Sequence, residues 1–155
     1  MENKFNFSAS VSYINKKILS NLKTHKVFLR TDNDYTYDYL YKFLNILENK
    51  LKKKEYDSII VICDKSFKTY SSHIFSFLSS KAWVPLSDKI SKNDLADILK
   101  SFDKPIILHN NFKKYNFFFK YTNLNLFNLN YEENTKNNYK IKINKIGPKA
   151  IFFTS

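Results

Sequence analysis

The chain has 155 residues, 43% of them hydrophobic and 17% aromatic, which is typical of one folded domain and excludes an intrinsically disordered chain. Its formal net charge of +12 suggests nucleic acid, but Arg30 is the only arginine among 26 basic residues, and arginine makes the bidentate contacts to phosphate and guanine. Because Asn, Lys, Ile, Phe and Tyr are abundant while glycine occurs once, A/T-rich codons explain the charge more simply than a nucleic-acid surface.

The first predicted elements are a short strand and a helix. The run VFLR is largely apolar and predicts the strand, and Asp32-Asn33-Asp34 predicts a turn after it. Thr36 is placed to cap a helix over 37–54, because its hydroxyl can accept a hydrogen bond from the first turn. The lysines near the end of this helix interact favourably with the helix dipole and with solvent, so we interpret them as a solvated helix end and not as a ligand site. Its predicted buried face consists of Leu40, Phe43, Leu44, Leu47 and Leu51.

A strand, a second helix and another strand follow. The run SIIVIC over 58–63 is continuously apolar, which indicates a strand covered on both faces. A helix is predicted over 66–80, and the run AWVPL over 82–86 predicts a strand. Pro85 places that strand at an edge or an exit of the sheet, because proline donates no ladder hydrogen bond. The apolar stripe predicted for the helix is Phe67, Tyr70, Ile74, Phe77 and Leu78.

A third helix and strand complete the alternation. Ser91 and Asp94 resemble a capping box at the start of the helix, and Pro105 ends it and opens the strand PIIL over 105–108. Alternating strands and helices predict an α/β fold with a mostly parallel sheet flanked by helices. The predicted core face of the third helix is Leu95, Ile98, Leu99 and Phe102.

The segment 109–140 has no clear period and mixes Asn and Lys with Phe and Tyr. Interleaved basic and aromatic residues could form a stacking surface for single-stranded nucleic acid. We favour a loop with short strands whose aromatic rings pack inward. The runs YKIKI over 139–143 and AIFFT over 150–154 predict further strands, and we expect the second to share one sheet with 58–63 and 105–108.

The cysteine and the histidines of the sequence predict neither a metal site nor a catalytic nucleophile. Cys63 is the only cysteine, and its position in an apolar strand predicts a buried structural thiol. The three histidines, His25, His73 and His109, lie too far apart in the sequence to show a metal-ligand spacing. Without a signal peptide or an apolar run of about 18 residues, we expect a cytoplasmic protein with no membrane partner.

Three stretches resemble, in order and spacing, core motifs of the adenylate-forming ligases. This superfamily comprises acyl-CoA synthetases, peptide-synthetase adenylation domains, D-alanine–carrier protein ligases and luciferases. The first motif, L-[TS]-Y-x-E-L, resembles YTYDYL. Thr36, Tyr37 and Leu40 agree with it, whereas Tyr35 and Tyr39 replace its Leu and Glu.

The second motif, L-K-A-G-x-A-Y-V-P-[LI]-D, resembles FLSSKAWVPLS. Trp83 stands for the aromatic residue, Ser80 replaces the glycine and Ser87 replaces the aspartate. The preceding run DSIIVICDKSFKTYSSHIFSFLSS falls where the family has a strand, a turn and a helix. Four further residues agree with the motif: Ala82, Val84, Pro85 and Leu86.

The last residues, FFTS, resemble the opening of the family's phosphate loop, [YF]-[TS]-S-G-[ST]-T-G-x-P-K-G. Phe153, Thr154 and Ser155 fall on the aromatic residue, the [TS] position and the Ser, and the family's first glycine would come next. The resemblance covers about 25–155. It implies one partial domain over 1–155, the N-terminal portion of the large AMP-binding domain, with Thr154 and Ser155 at the start of the ATP phosphate loop.

The resemblance implies two half-reactions for the full-length enzyme. A carboxylic or amino acid attacks the α-phosphate of ATP–Mg²⁺ to give acyl-AMP, and a thiol of CoA or of a carrier protein's phosphopantetheine arm then takes the acyl group. The adenine-binding motif, the substrate pocket and a catalytic lysine lie downstream in the family. We therefore expect no catalytic residue, no metal ligand, no bound cofactor and no activity for this chain alone.

The alternative function is a small basic α/β binding or interaction module, with nucleic acid among its ligands. The absent glycine loop does not separate the two hypotheses. The coding DNA after Ser155 does, because a ligase fragment predicts G-[ST]-T-G-x-P-K there.

Overall fold

A computed structural model describes residues 16–18, 20–22, 24–79, 81–111, 121–129 and 151. The first two of these segments contain helical residues, and they contribute Ile18 and Leu22 to the core. The elements that follow are β1 (Val27–Arg30), β2 (Asp34–Thr36), α1 (Tyr37–Leu51), β3 (Ser58–Cys63), α2 (Phe67–Leu78), β4 (Ala82–Ser87), α3 (Lys92–Leu99), β5 (Pro105–His109), β6 (Thr122–Asn125) and a 3₁₀ turn (Leu126–Asn128).

Four parallel strands form the central sheet, in the order β4-β3-β5-β6. Ser58 pairs with Ala82 on one side and with Pro105 on the other, so β3 lies between β4 and β5. The predicted α/β fold with a mostly parallel sheet is confirmed. β1 and β2 instead form a separate antiparallel hairpin, because their short connection is far below the dozen or so residues that a parallel crossover needs.

Two hydrophobic cores cover the two faces of the sheet. On one face, Ile59 and Val61 of β3 pack with the apolar residues of α1 and α2. On the other, Ile60 and Ile62 pack with Leu95 and other residues of α3. Because successive side chains of a strand point to opposite faces, a strand between two cores must be apolar throughout. This explains the uninterrupted SIIVIC run.

The helices α1 and α3 begin where their capping residues predict. The Thr36 hydroxyl accepts from the backbone N–H of Tyr39 at 3.3 Å. The Ser91 hydroxyl accepts from the N–H of Asp94 at 3.1 Å and donates to the Asp94 carboxylate at 2.6 Å. All five predicted core residues of α1 are buried. In α3, Leu95 and Leu99 are buried and Ile98 packs at the margin of the core, whereas Phe102 packs there from beyond the end of the helix.

The apolar stripe predicted for α2 is confirmed at Phe67 and Leu78 and is wrong at Tyr70, which is 41% exposed. Ile74 is partly buried and packs against the core, and Phe77 is partly buried. Ser72 and Ser76 face inward in their place, together with Phe67, Ser71, Phe75 and Leu78. The hydroxyls of Ser72 and Ser76 donate to backbone carbonyls of the same helix, four residues earlier, at 2.8 Å. This internal hydrogen bonding lowers the cost of burial, so an apolar pattern misses these residues.

The predicted strand 150–154 is described at Ile151 alone. The N–H of Ile151 donates to the carbonyl of Trp83 in β4 at 2.9 Å, so the backbone at this point lies beside the sheet. The other residues of that strand, and the strand predicted over 139–143, lie outside the described residues. Pro85 lies in β4, which is one of the two outer strands among the four described parallel strands. No described helix is long and apolar enough to cross a membrane.

Candidate functional site

The strand order places a topological switch point between β3 and β5. The chain leaves β3 towards β4 on one side and leaves β5 towards β6 on the other. In open α/β sheets, ligands bind in the crevice outside the carboxyl ends of the two strands at such a point. Asp64 directly follows β3 and Asn110 directly follows β5, so both residues lie at this crevice.

Four polar side chains bind one another at the switch point. Oδ1 of Asp64 accepts from the N–H of Ser66 at 2.9 Å and from the hydroxyl of Thr69 at 2.5 Å. Oδ2 of Asp64 accepts from Nδ2 of Asn110 at 2.7 Å, and the same amide nitrogen lies 2.7 Å from the Ser66 hydroxyl. Ser66 also caps α2 by accepting from the N–H of Thr69 at 3.2 Å. We call these four residues the switch-point cluster.

The switch-point cluster holds Asp64 in its ionised form. Burial acts to raise the pKa of Asp64, but the hydrogen bonds from Ser66, Thr69 and Asn110 outweigh it and hold the pKa below its ordinary value. Both carboxylate oxygens are occupied by donors of the same chain. Because an ionised, fully hydrogen-bonded carboxylate has no proton to give, Asp64 stabilises the junction of β3, α2 and β5 instead of acting as a general acid.

A second group of side chains joins β3, α2 and β4. Sγ of Cys63 lies 3.1 Å from Nε2 of His73, and Nδ1 of His73 lies 3.1 Å from the indole nitrogen of Trp83. Indole N–H only donates, so Nδ1 of His73 must accept and the neutral ring carries its proton on Nε2. That proton points at the sulfur. The arrangement is therefore wrong for a nucleophile–base pair, in which Nε2 would have to accept the thiol proton.

The structure supports a structural role for Cys63. The sequence predicts a buried thiol, whereas the side chain is only partly buried. Burial is the main influence that raises the pKa of its thiol, and the nearby charges of Asp64 and Asp88 raise it further. We expect iodoacetamide to alkylate Cys63 more slowly than it alkylates glutathione at pH 7.5, because the thiolate is the reacting form and the sulfur is partly buried. Mass spectrometry of quenched time points measures the rate. Alkylation as fast as that of glutathione would contradict a structural thiol.

A groove of about 570 Å³ lies at the opposite, amino-terminal edge of the sheet. Its charges are mixed: Lys104 pairs with Glu55, and Nζ of Lys81 lies 5.2 Å from the centre of the Tyr56 ring. Because its lining contains both lysines and carboxylates, the groove offers no field of one sign to attract phosphate. The groove is lined by Glu48, Leu51, Lys52, Lys54, Glu55, Tyr56, Asp57, Lys81, Asp103 and Lys104.

The site residues predicted from the sequence, Thr154 and Ser155, lie outside the described residues. The nearest described position is Ile151, whose backbone lies beside Trp83. Sequence reasoning missed the switch-point cluster. A local signal was present, because polar residues directly follow two continuously apolar strands. No group of three or more His, Cys, Asp or Glu residues within the described ranges is placed to hold a metal ion.

Two solved structures share this fold. The N-terminal subdomain of Klebsiella oxytoca NpsA, in complex with 3-hydroxyanthranilyl-AMSN, matches 96% of this chain with a TM-score of 0.62 and 16% identity. McyG A-PCP, complexed with phenylalanyl-adenylate, matches 100% of this chain with a TM-score of 0.59 and 20% identity. The chain spans 37% and 31% of the lengths of those two proteins. No family model and no curated protein matches the sequence.

This chain has the fold of part of an adenylation domain. The resemblance to adenylate-forming ligases is confirmed at the level of the fold. Within the adenylation-domain fold, the stretch YTYDYL spans the end of β2 and the first turn of α1, and FLSSKAWVPLS spans the end of α2 and β4. The run before the second motif forms the strand, turn and helix that the resemblance implies.

Proposed function

We propose that these residues form the N-terminal portion of the large domain of an AMP-forming ligase. The observation that carries the proposal is the placement of the second motif. FLSSKAWVPLS leaves α2 and runs along β4 in a fold shared with two adenylation domains. If the motif resembled the family only by chance, we would not expect the chain also to have the adenylation-domain fold.

The proposed reaction activates a carboxylic or amino acid with ATP to give acyl-AMP and pyrophosphate. Thr154 and Ser155 are the residues of this chain that would contact the phosphates, because hydroxyls donate hydrogen bonds to phosphate oxygens. In phosphoryl and nucleotidyl transfer, catalysis is mostly positioning and electrostatic stabilisation of the phosphates by backbone N–H groups and Mg²⁺. The chain's single glycine, Gly147, precedes these hydroxyls, so the glycine cradle would come from residues beyond Ser155.

The proposed acceptor is a thiol, and we favour a carrier protein over CoA. The Pro85-Leu86 pair resembles the carrier-protein-loading branch of the superfamily. One of the two structural neighbours is an A-PCP protein, which is consistent with the same branch. CoA as the acceptor is the other outcome of a thiol-specificity assay, in which CoA and a phosphopantetheinylated carrier compete for the acyl-adenylate.

The coding DNA downstream of Ser155 tests the proposal most directly. An AMP-forming ligase requires G-[ST]-T-G-x-P-K after Ser155, either in frame or after a frameshift. A downstream sequence without this pattern in any frame contradicts the ligase hypothesis. It would favour the alternative, a small basic binding or interaction module.

The 155-residue polypeptide by itself should catalyse no ATP–pyrophosphate exchange with any amino or fatty acid. The reason is chemical: its two hydroxyls without the glycine backbone cannot cradle the phosphates. Incorporation of labelled pyrophosphate into ATP measures the exchange, with McyG A-PCP and phenylalanine as a positive control. Robust exchange above a no-protein blank would show that these residues contain a complete active site, contrary to the proposal.

A further inference from the structure

We propose that the Cys63–His73–Trp83 hydrogen-bond chain is a pH-sensitive lock that holds α2 against β3 and β4 and opens when His73 is protonated. The three side chains come from three different elements: Cys63 ends β3, His73 lies in the middle of α2, and Trp83 lies in β4. The inference does not depend on the ligase function proposed above, since it concerns only side chains inside the described fold.

The lock depends on the neutral form of the imidazole. Nδ1 of His73 accepts from the indole N–H of Trp83 at 3.1 Å, and Nε2 faces Sγ of Cys63 at 3.1 Å. An imidazolium carries protons on both nitrogens and accepts no hydrogen bond. Protonation would therefore turn a proton of Nδ1 towards the indole N–H, so two donors would face each other and the hydrogen bond to Trp83 would be lost.

The surroundings of His73 favour the closed lock at neutral pH. Burial is the influence that lowers the pKa of His73 below its ordinary value. The titratable group facing the ring is the Cys63 thiol, and the carboxylates of Asp64 and Asp88 act on that thiol. Because the folded-state pKa of His73 lies below the unfolded value of about 6.5, its stabilising effect is complete above that pH and is lost as the pH falls below it.

The test uses Trp83, the only tryptophan in the chain, as an intrinsic probe. Tryptophan emission of the full chain is titrated from pH 8 to pH 5. We expect a transition with a midpoint below about pH 6.5. In His73→Gln the amide oxygen can accept from Trp83 and the amide nitrogen can donate to Cys63, so this variant should keep the lock closed and show no such transition.

A matched control separates His73 from the other histidines. His25 is exposed, so His25→Gln should titrate like the wild type. His109 is buried and is retained in both variants, so it cannot account for a difference between them. A transition of unchanged midpoint and amplitude in His73→Gln would overturn the proposal.

A second measurement covers the case in which His73→Gln does not fold. Long-range ¹⁵N–¹H spectra of the wild type assign the tautomer of each histidine and follow its titration. The proposal requires the tautomer with its proton on Nε2 for His73 at pH 7.5, and a titration midpoint below the ordinary histidine value of about 6.5. The other tautomer, or a midpoint at or above about 6.5, would overturn it.

Discussion

Replacing Phe43 with alanine should reduce the free energy of unfolding by about 3–5 kcal/mol, the usual cost of emptying a buried phenylalanine site. Phe43 is 0% exposed on the inner face of α1, and its ring meets that of Phe67 edge to face, with centroids 6.0 Å apart. Stability is lost for two reasons: the buried apolar surface of the ring is removed, and the close-packed neighbours fill the resulting cavity only in part. Since the total free energy of unfolding of a small domain is about 5–15 kcal/mol, the variant should be close to unfolding.

Urea denaturation followed by circular dichroism measures the effect of Phe43→Ala, and an unchanged m-value would show that two-state unfolding is retained. Phe127→Ala is the matched control. It makes the same chemical change at a side chain that is 74% exposed, so it should shift the free energy of unfolding by no more than about 0.5 kcal/mol. A loss below about 1 kcal/mol in Phe43→Ala would mean that α1 is not packed on the sheet as described.

Asp64→Ala should lower the free energy of unfolding by about 2–3 kcal/mol, because it removes a charged acceptor and leaves several donors without a hydrogen-bond partner. The donors are the N–H of Ser66, the hydroxyl of Thr69 and the amide of Asn110. Asp64→Asn should have a smaller effect, since one carbonyl oxygen can still accept from Ser66 and Thr69. The difference from the wild type is read from urea midpoints at a common m-value.

The pH dependence of Asp64→Ala gives a second readout. The pKa of Asp64 is lowered in the folded protein, since its hydrogen bonds outweigh the opposing effect of burial. Its contribution is therefore complete above the unfolded value of about 3.9 and is lost as the pH falls through the folded value. The difference between wild type and Asp64→Ala should be constant from pH 8 to pH 5 and should shrink below about pH 4.

Asp34→Ala is the control for the loss of a carboxylate. Asp34 pairs with Arg30 in an ion pair that is exposed on both sides, so water replaces it readily and little change in stability is expected. Equal losses in Asp34→Ala and Asp64→Ala would mean that the switch-point cluster contributes no more than a surface ion pair. The hydrogen-bonded junction of β3, α2 and β5 would then be refuted as a stabilising feature.

Local patterns of residues were sufficient for the α/β class, for the central strands and for two of the helix starts. SIIVIC and PIIL form β3 and β5, and the caps at Thr36 and Ser91 lie where they were predicted. The reason is that strand alternation, helical periodicity and capping act over at most four residues, so the sequence displays them directly. The motif resemblance likewise agreed with the fold because its residues lie on consecutive elements.

Only the tertiary structure decided the strand order and the contacts between distant residues. Asp64 and Asn110 are 46 positions apart and meet because β3 and β5 are neighbours, which no local period reveals. Cys63, His73 and Trp83 meet because α2 packs across β3 and β4. The inward-facing Ser72 and Ser76 of α2 were invisible to an apolar pattern, since their hydroxyls donate to backbone carbonyls of the same helix. In each case the deciding interaction depends on which elements pack together, and that is set by the whole chain.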